Sequence, residues 1–431
     1  MAKTYDTYKD SGIKWLGTIP ANWRIEKGKH VLSVLSKPVL QDDDVVTCFR
    51  DGEVVLRNER RTEGFTMSDK EIGYQHIDKG DIVIHGMDGF AGSIGISKST
   101  GKGSPVLVVC NPIKDNPSYL VYYLRILANT NVFLALSTGI RQRSCDLKWN
   151  KISVLPFPLP SLAEQRTITT FLDEKCSEID SLISLQEKMI SELQAYKQSV
   201  ITEAVTKGLD SNVPMKDSGV EWIGMIPEEW SIDFLSKIIW LRARLGWKGL
   251  KAEEYVEEGF PFLSAFNIVN NKLKWEGLNF ISKERYDESP EIKLSIGDVL
   301  IVKDGAGIGK TARIDQLPKG EATVNSSLGV ITPSEKLDYK YLHYFLLSNS
   351  FQNIIGFIKN GMGVPHLTQE NMKSVLITTP PLSEQQAIAS YLDEKTSQID
   401  SLIALKQEKI TELKDYKKSI IYEYVTGKKK V

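Results

Sequence analysis

Asp-Ser-Gly-Ile-Lys-Trp-Leu-Gly-Thr-Ile-Pro, at residues 10–20, is followed by Trp23 near the start of the chain. The pattern returns as Asp-Ser-Gly-Val-Glu-Trp-Ile-Gly-Met-Ile-Pro at residues 217–227, followed by Trp230. Internal self-similarity of this kind marks duplicated structural units, so we predict two large, similar halves. Two such halves imply a pseudo-two-fold molecule that presents two related surfaces to a long partner, for which a duplex polymer is the first candidate.

Each half also contains a second repeated block. Residues 162–183 begin with Leu-Ala-Glu-Gln and contain Leu-Asp-Glu-Lys and Ile-Asp-Ser-Leu-Ile, and residues 382–403 begin with Leu-Ser-Glu-Gln and contain the same two motifs. Glycine and proline are absent from each block until Gly208 and Gly427. Each block therefore predicts a helix of about 43 residues, which is about 65 Å long at about 1.5 Å per residue.

Both helices carry apolar residues at alternating spacings of three and four, which is typical of a coiled-coil seam. Gln186 and Lys406 interrupt the two seams at equivalent positions. Because each helix follows its own globular stretch, we expect the two helices to pair antiparallel with each other, and homodimerisation through either helix is the alternative. The predicted seam residues are Ile179, Leu182, Met189, Leu193, Tyr196, Ile399, Leu402, Leu413, Tyr416 and Ile420.

The globular stretches, roughly 13–158 and 220–379, combine strand and helix signals. Asp-Ile-Val-Ile at 81–84 and Asp-Val-Leu-Ile-Val at 298–302 have the composition of buried strands, and each begins at a Gly-Asp turn. Between such matched positions the halves differ widely, which indicates one scaffold with two different surfaces.

We therefore predict a mixed α/β fold with two tandem α/β domains, separated and followed by long helices that form an antiparallel, pseudo-two-fold coiled coil. The predicted boundaries are residues 1–158 and 209–379 for the α/β domains, and 159–208 and 380–431 for the helical regions.

Composition is that of an ordinary globular protein. The chain has 431 residues, of which 41% are hydrophobic and 25% are charged. No apolar run approaches the roughly 18 residues of a membrane helix, and the first residues do not have the pattern of a signal peptide. The cysteines (Cys48, Cys110, Cys145 and Cys176) are scattered and form no CxxC motif. We expect a cytoplasmic protein with reduced thiols and no structural zinc.

The net charge of −1 conceals an uneven distribution. Residues 164–207 hold eight acids and five bases, and residues 384–423 hold eight acids and six bases, so the remainder carries +4. The positive excess lies in the globular stretches, where phosphate contacts would be made. An excess this small is weak support for a nucleic-acid partner.

The heads at residues 10–20 and 217–227, the Glu-Gln helix entries and the Leu-Asp-Glu-Lys helices together resemble the specificity (S) subunit of type I restriction–modification systems. The resemblance covers essentially the whole chain. It implies that each α/β domain is a target-recognition domain that reads one half of an asymmetric, bipartite site in double-stranded DNA.

The same resemblance implies partners and a division of labour. The helices would space the half-sites and dock two adenine-N6 methyltransferase (M) subunits, which restriction/translocase (R) subunits can join. The chain would be a non-catalytic specificity subunit without a cofactor of its own, and S-adenosylmethionine would bind in the partner methyltransferase.

The chain shows no convincing catalytic motif. The stretch 305–311 is similar to a phosphate-binding loop, but three residues rather than four separate Gly305 from Gly309-Lys310. A glycine-rich turn that brings Lys310 near DNA phosphate, or a plain tight turn, explains it as well. Asn-Pro-Ile-Lys at 111–114 lacks the aromatic end of an adenine methyltransferase motif, and the five histidines show no metal-ligand spacing.

Each head also carries paired tryptophans, Trp15 with Trp23 and Trp222 with Trp230. Tryptophans can stack on bases. We expect these instead to fix each N-terminal arm onto its domain core or onto the helices, because they flank an Ile-Pro pair.

Candidate DNA-binding residues come from loops that combine basic residues with glycine. Arg can bind guanine with two hydrogen bonds, and Gln can bind adenine in the same way. The loops at 139–144 and 360–366 occupy equivalent positions in the two halves. The candidates are Arg57, Arg60, Arg61, Gly139, Arg141, Gln142 and Arg143 in the first half, and Arg242, Arg244, Lys248, Lys310, Gly361 and His366 in the second. For each of them alone, a solvated surface residue is the alternative.

Two competing functions stay open on the sequence alone. One is a self-associating coiled-coil scaffold with no DNA preference. The other is an enzyme that hydrolyses ATP with the loop at Gly305, in which Lys310 would be essential.

Overall fold

The computed structural model describes residues 3–60, 72–136, 147–243, 250, 252–359 and 366–431. The chain divides into two compact units. Unit 1 comprises Met1–Glu187 and Glu408–Val431, and unit 2 comprises Lys188–Gln407. Each unit therefore contains one α/β domain, the first part of one long helix and the last part of the other.

The strands of unit 1 are β1 (Tyr8–Asp10), β2 (Thr18–Pro20), β3 (Arg24–Lys27), β4 (Leu32–Val34), β5 (Val46–Cys48), β6 (Val54–Leu56), β7 (Gln75–Ile77), β8 (Ile82–His85), β9 (Ile94–Ile96), β10 (Gly101–Gly103), β11 (Leu107–Pro112) and β12 (Pro156–Leu159). Its helices are α1 (Gly28–Val31), α2 (Pro117–Asn129), α3 (Val132–Ala135), α4 (Trp149–Ile152) and the start of α5 (Leu162–Lys207).

The central sheet of unit 1 is antiparallel, in the order β4-β11-β8-β9. Ile82, Val83 and Ile84 of β8 are all fully buried. Ile82 and Ile84 pack against the apolar face of α2, and Val83 packs against residues of β5 and β6 on the other face. Alternate side chains point to opposite faces of a strand, so a strand covered on both faces is apolar throughout.

The strands of unit 2 are β13 (Met215–Asp217), β14 (Met225–Pro227), β15 (Ser231–Phe234), β16 (Ile239–Arg242), β17 (Phe260–Leu263), β18 (Ile268–Val269), β19 (Lys272–Leu273), β20 (Asn279–Ile281), β21 (Val299–Val302), β22 (Thr311–Arg313), β23 (Thr323–Val324), β24 (Leu328–Pro333) and β25 (Leu376–Thr379). Its helices are α6 (Leu235–Ile238), α7 (Lys283–Asp287), α8 (Tyr339–Leu347), α9 (Asn349–Lys359), α10 (Gln369–Lys373) and the start of α11 (Leu382–Val425).

The central sheet of unit 2 repeats that of unit 1, in the order β16-β24-β21-β22. A smaller sheet, β20-β17-β23, adds a parallel pair between β17 and β23. The predicted mixed α/β fold with two similar sheet domains and long helices is confirmed.

Each long helix begins with a glutamate that accepts a hydrogen bond from a buried tryptophan. The indole Nε1 of Trp23 donates to Oε1 of Glu164 (3.3 Å), and Nε1 of Trp230 donates to Oε2 of Glu384 (3.0 Å). Both of these tryptophans are only 1% exposed. The expectation that they fix the heads onto the helices, rather than stack on bases, agrees with this placement.

The glutamine that follows each glutamate is fully buried and joins the long helix to the sheet domain. In unit 2, the N–H of Asp338 donates to Oε1 of Gln385 (2.8 Å), and Nε2 of Gln385 donates to the carbonyl oxygens of Lys336 (3.0 Å) and Pro380 (2.9 Å). Asp338 is the N-cap of α8. In unit 1, Gln165 likewise accepts from the N–H of Asn116 and donates to the carbonyl of Pro160, and its third hydrogen bond goes to the carboxylate of Asp115. The repeated Glu-Gln motif is thus a structural joint.

The end of each long helix closes onto a head. Gly427, after α11, has φ +72°, and a Cβ there would lie 2.3 Å from Cδ of Pro20. Gly208, after α5, has φ +80°, and a Cβ there would lie 3.3 Å from the Trp230 ring. Glycine is required at both positions because the left-handed conformation and the close approach each disfavour a side chain.

Within each unit the two helical segments pair side by side and run antiparallel. As residue numbers rise along α5, the numbers of their partners on α11 fall. The contacts are Phe171–Tyr424 (ring centroids 4.6 Å apart), Asp180–Lys417 (2.7 Å) and Lys197–Asp400 (2.6 Å). The predicted antiparallel pairing is confirmed.

Four of the predicted seam residues lie outside the seam. Ile179, Ile399 and Ile420 are buried, Leu413 packs against the unit 1 core, and Met189 and Leu193 are half-buried. Leu182, Tyr196, Leu402 and Tyr416 are instead 47%, 51%, 46% and 57% exposed.

The prediction was wrong at these positions because the following residue, and not the predicted one, packs into the seam. Ile183 packs inward beside Leu182, and Lys197 reaches across to Asp400 beside Tyr196. A lysine can lie in a seam because its aliphatic stem packs while its ammonium reaches a carboxylate. The exposed leucines and tyrosines therefore form a second apolar stripe on the outer face of the helices.

The remaining local features of the described residues are their thiols, their potential metal ligands and the hydropathy of their helices. Cys48, Cys110 and Cys176 are buried free thiols, and Cys145 lies outside the described residues. No cluster of His, Cys, Asp and Glu in the described part of the chain could hold a metal ion. Among the same residues, no helix combines the length and apolar character that a membrane span requires.

Gln385→Ala should lower the free energy of unfolding by about 1–3 kcal/mol, because it leaves buried donors and acceptors at the α8–α11 joint without partners. Denaturant unfolding followed by tryptophan fluorescence would measure the loss. The control is Gln398→Ala, an exposed glutamine on the same helix whose amide bonds to Glu394 (3.0 Å). We expect the control to change stability by less than about 0.5 kcal/mol. Equal losses in both variants would show that the joint has no special role.

Candidate nucleic-acid interface

The candidate interface in unit 1 lies at the end of β8. The chain turns there through a short 3-10 segment, Gly89–Ala91, before β9. Leu147, which follows the predicted DNA-binding loop, returns to this edge, where its N–H donates to the carbonyl of Gly86 (3.0 Å). The segment after the loop is thus attached directly to the central sheet.

Unit 2 places the segment after its own loop at the matching position. β21 ends at Val302, and the 3-10 segment Gly305–Gly307 follows. The N–H of Leu367 donates to the carbonyl of Lys303 (2.9 Å), and Nδ1 of His366 contacts Oδ1 of Asp304. The described residues that follow the two predicted loops therefore bond to the same edge of the central sheet in both units.

Basic side chains are available at this edge in both units. In unit 1, the exposed Arg50 contacts Asp88 (2.9 Å) beside the 3-10 turn. In unit 2, Lys310 is exposed and has no acidic partner among the residues that the structure describes. Lys303 is half-buried, and burial lowers the pKa of its ammonium, opposed by the neighbouring Asp304 carboxylate. An anion beside Lys303, such as a backbone phosphate, would favour the charged form of its ammonium.

Arg242, a predicted DNA-binding residue, is instead buried in the domain. Its Nη2 donates to both carboxylate oxygens of Asp298 (2.8 Å each), and the Trp240 ring covers the guanidinium at 4.7 Å. Arg242 is 8% exposed and Asp298 is 1% exposed. We therefore remove Arg242 from the DNA-binding candidates. Clustering of basic residues in the sequence could not reveal this buried carboxylate partner.

Unit 1 uses a different cation for the equivalent aspartate. The ammonium of Lys37 donates to Asp81 and Asp78 (2.7 Å each). His76 bridges Asp43 (Nδ1, 2.8 Å) and Asp78 (Nε2, 3.1 Å). The hydrogen bond with Asp43 is the main cause that raises the pKa of His76, and burial opposes it. Both units thus hold the start of the central strand with a charge network built on a buried aspartate.

The remaining candidates divide into two groups. Arg57 donates to Oγ1 of Thr47 (3.3 Å), and Arg60 is bound by Asp51 and Glu53 (2.9 Å each) and lies over the Phe49 ring. Both therefore have partners within the protein. The others lie outside the described residues: Arg61, Gly139, Arg141, Gln142, Arg143, Arg244, Lys248 and Gly361.

The glycine-rich stretch at Gly305 does not form the phosphate loop of a nucleotide-binding enzyme. A phosphate loop of that kind leads into a helix, whose N-terminus faces the phosphates. Here the turn leads into strand β22 instead. The ATP-hydrolysing alternative therefore loses its structural basis.

Sequence reasoning missed the polar loop Asn325–Ser327 between β23 and β24 in unit 2. Oδ1 of Asn325 accepts hydrogen bonds from the N–H (3.1 Å) and Oγ (2.6 Å) of Ser327. The N–H of Lys303 donates to the carbonyl of Ser327 (2.8 Å), so this loop adjoins the candidate interface. The feature of the sequence that could have revealed this loop is a polar stretch between two apolar strands.

Comparison with known proteins agrees with this architecture. Residues 227–415 match the family model described as the type I restriction modification DNA specificity domain. The MjaVIII specificity subunit of a type I restriction enzyme from Methanocaldococcus jannaschii is 26% identical over 435 residues, covering 98% of this chain and 97% of that protein. The EcoKI specificity subunit from Escherichia coli is 28% identical over 209 residues, covering 48% of this chain and 44% of that protein.

Solved structures share the fold. A chain from work on complex assembly and conformational transition of the type I R-M system has a TM-score of 0.72 at 17% identity and covers 94% of this chain and 98% of its own length. The HsdS subunit from Thermoanaerobacter tengcongensis has a TM-score of 0.51 at 17% identity, with 95% and 98% covered.

Two α/β units of one design, each with the residue after its loop bonded to the same edge of the central sheet, define a modular protein with two related surfaces. Residues 227–415 match the DNA specificity domain of type I restriction–modification systems, and nearly the whole chain is similar to specificity subunits of those systems, the family that its repeated motifs resemble. Such subunits recognise DNA sequence and are not the catalytic components of their complexes.

Arg242→Ala should destabilise the chain by roughly 3–5 kcal/mol, because it leaves the buried Asp298 carboxylate without its cation. Thermal unfolding would measure the loss. The matched control is Lys310→Ala, which removes an exposed cation and should leave stability within about 0.5 kcal/mol. A stable Arg242→Ala protein with altered sequence preference would restore Arg242 as a DNA contact.

Proposed function

We propose that this chain reads an asymmetric, bipartite site in double-stranded DNA, with one half-site bound by each unit. The observation that carries the proposal is the repeated anchor of the variable loops, Leu147 on Gly86 and Leu367 on Lys303. Because the two units share this backbone frame but differ in the neighbouring side chains, they would recognise two different DNA sequences. The exposed Arg50, which pairs with Asp88, lies beside the frame in unit 1, and Lys310 and the Asn325–Ser327 loop lie beside it in unit 2.

The outer face of the long helices supports the docking of two copies of one partner. In unit 1 this face has a groove lined by Glu174, Ser177, Glu178, Ser181, Leu182 and Leu185. The equivalent residues of α11 in unit 2 are Glu394, Ser397, Gln398, Ser401, Leu402 and Leu405. Only Glu178 and Gln398 differ, whereas the loops of the α/β domains diverge widely. Near-identity on an exposed apolar stripe favours two equal partners, which we assign as the methyltransferase subunits.

In this assembly the partner subunits perform the chemistry. Each methyltransferase subunit would bind S-adenosylmethionine, flip an adenine out of its half-site and methylate N6. Restriction/translocase subunits would join through the methyltransferases. The continuous helices α5 and α11 would set the spacer between the half-sites, since each runs from one unit into the other.

The scaffold alternative has less support. Its main requirement is a free helical seam, but the seam segments of α5 and α11 are covered by each other within each unit of the described chain. The exposed stripe could still join two copies of the chain, and the assembly test below distinguishes that outcome.

The first experiment is to co-express the chain with the methyltransferase encoded beside it and to map N6-methyladenine in host DNA by long-read sequencing. We expect a single gapped, asymmetric motif that is absent without this chain. An assembled complex without a chain-dependent motif would exclude the proposed role and favour the scaffold.

Leu182→Asp combined with Leu185→Asp should remove one methyltransferase copy from the complex, because two buried carboxylates would oppose docking on the unit 1 stripe. Native mass spectrometry would count the copies. Leu402→Asp with Leu405→Asp should remove the other copy, and all four changes together should remove both. Val154→Asp, at a residue of unit 1 that is 60% exposed and lies off the helices, is the control. Retention of both copies in the fourfold variant would exclude this docking surface.

A further inference from the structure

Phe266 of unit 2 is 92% exposed, although its neighbours are not. Ala265 packs against the core cluster around Leu263 and Leu300, and Asn267 is 8% exposed. A single exposed aromatic residue is common on protein surfaces. The significance of this one depends on how it is held and on what surrounds it.

The turn that carries Phe266 is held by a reciprocal capping box. Phe266 is the middle residue of the 3-10 segment Ala265–Asn267. Oδ1 of Asn267 accepts a hydrogen bond from the N–H of Ser264 (2.8 Å), and the N–H of Asn267 donates to the carbonyl of Ser264 (3.0 Å). With both ends of the turn hydrogen-bonded and Asn267 buried, the ring projects outward from a backbone that has little freedom to fold it back.

Phe266 lies near the edge that forms the candidate DNA interface. β17 ends at Leu263, whose carbonyl accepts a hydrogen bond from the N–H of Asn325 (2.8 Å). Asn325 bonds to Ser327, and the carbonyl of Ser327 accepts from Lys303 (2.8 Å). A continuous path of hydrogen bonds thus connects the base of the Phe266 turn to the end of β21.

A free cation lies beside the same turn. The N–H of Lys274 donates to the carbonyl of Asn267 (2.9 Å), so the backbone of Lys274 faces the turn directly. Lys272 pairs with Asp400 (3.5 Å), whereas the exposed Lys274 ammonium has no acidic partner among the described residues. The turn therefore carries an exposed aromatic ring, and the residue whose backbone bonds to its end carries an ammonium without an acidic partner among the described residues.

We propose that Phe266 contacts the DNA of the second half-site by stacking on or wedging between its bases, while Lys274 binds the adjacent backbone phosphate. An exposed apolar ring that unstacks a base step and a cation that neutralises a phosphate are complementary contacts to nucleic acid. This inference rests on the proposed function and adds a contact to it. With this contact, the affinity for the half-site would depend on how easily a base step is deformed as well as on the hydrogen-bonding pattern of the base edges.

The test uses the complex of the full chain with its methyltransferase subunits and duplexes that carry the mapped motif. A 2-aminopurine probe is placed in turn at each step of the half-site read by unit 2. For the wild-type complex, we expect binding to raise the probe's fluorescence at one step. Phe266→Ala should abolish that rise and weaken binding about tenfold or more, as the loss of one stacked base does.

Two further variants separate the contacts. Lys274→Ala should weaken binding to every duplex by a similar factor and reduce the salt dependence by about one phosphate. Ile296→Ala is the control, because Ile296 is 63% exposed but precedes β21, at the end of the strand opposite Lys303. The control should leave binding and fluorescence unchanged.

Unchanged binding and fluorescence in Phe266→Ala would overturn this inference. Loss of methyltransferase from the Phe266→Ala complex, with DNA binding retained, would also overturn it and assign the ring to a protein contact. A wild-type complex with no chain-dependent motif would overturn the proposed function and this inference with it. A wild-type motif with an unaffected Phe266→Ala variant would overturn the inference alone.

Discussion

The joint between each long helix and its sheet domain is the constraint on which the rest of the structure depends. Gln165 and Gln385 are fully buried polar side chains, and each must satisfy a donor and an acceptor at fixed directions. Apolar packing along a helix tolerates sliding and rotation, but a buried amide with three hydrogen bonds does not. The joint therefore sets where the sheet edge and the outer helix stripe lie relative to each other within each unit.

The two units share side-chain contacts where those contacts hold the scaffold together, and they differ at exposed surfaces. Tyr119 donates to the carbonyl of Val425 (3.0 Å), and Tyr341 donates to the carbonyl of Val205 (3.1 Å), so each domain receives the end of a long helix in the same way. The aspartate before the central strand is also shared, but its partner is Lys37 in one unit and Arg242 in the other. The scaffold places a cation against this buried aspartate in both units, but the residue that supplies the cation differs. Divergence increases towards the loops, where two different half-sites require different contacts.

The fold was largely predictable from the sequence because it rests on long, regular signals. Duplication, uninterrupted helical blocks and matched apolar strands each involve many residues, so single errors do not change the result. The seam was predictable only to within one residue. Leu182 and Ile183 are both apolar, and the rotation that places Ile183 inward is set by the partner helix. Lys197 was passed over in favour of Tyr196 because a partner carboxylate on another segment, Asp400, is invisible to local pattern.

In the candidate interface, some features follow from the sequence alone and others follow only from the tertiary structure. The sequence by itself determined that the loops at 139–144 and 360–366 are equivalent, since each lies at nearly the same distance before its Glu-Gln helix entry. Only the tertiary structure decided which basic residues are available. Arg242 is bound by a buried carboxylate more than fifty positions away, whereas Lys274 and Phe266 are brought near the sheet edge by hydrogen bonds from distant strands. Periodicity is recognised from neighbouring residues, and repetition is recognised by comparing the chain with itself. The exposure and pairing of a charge depend instead on which remote segments fold against it.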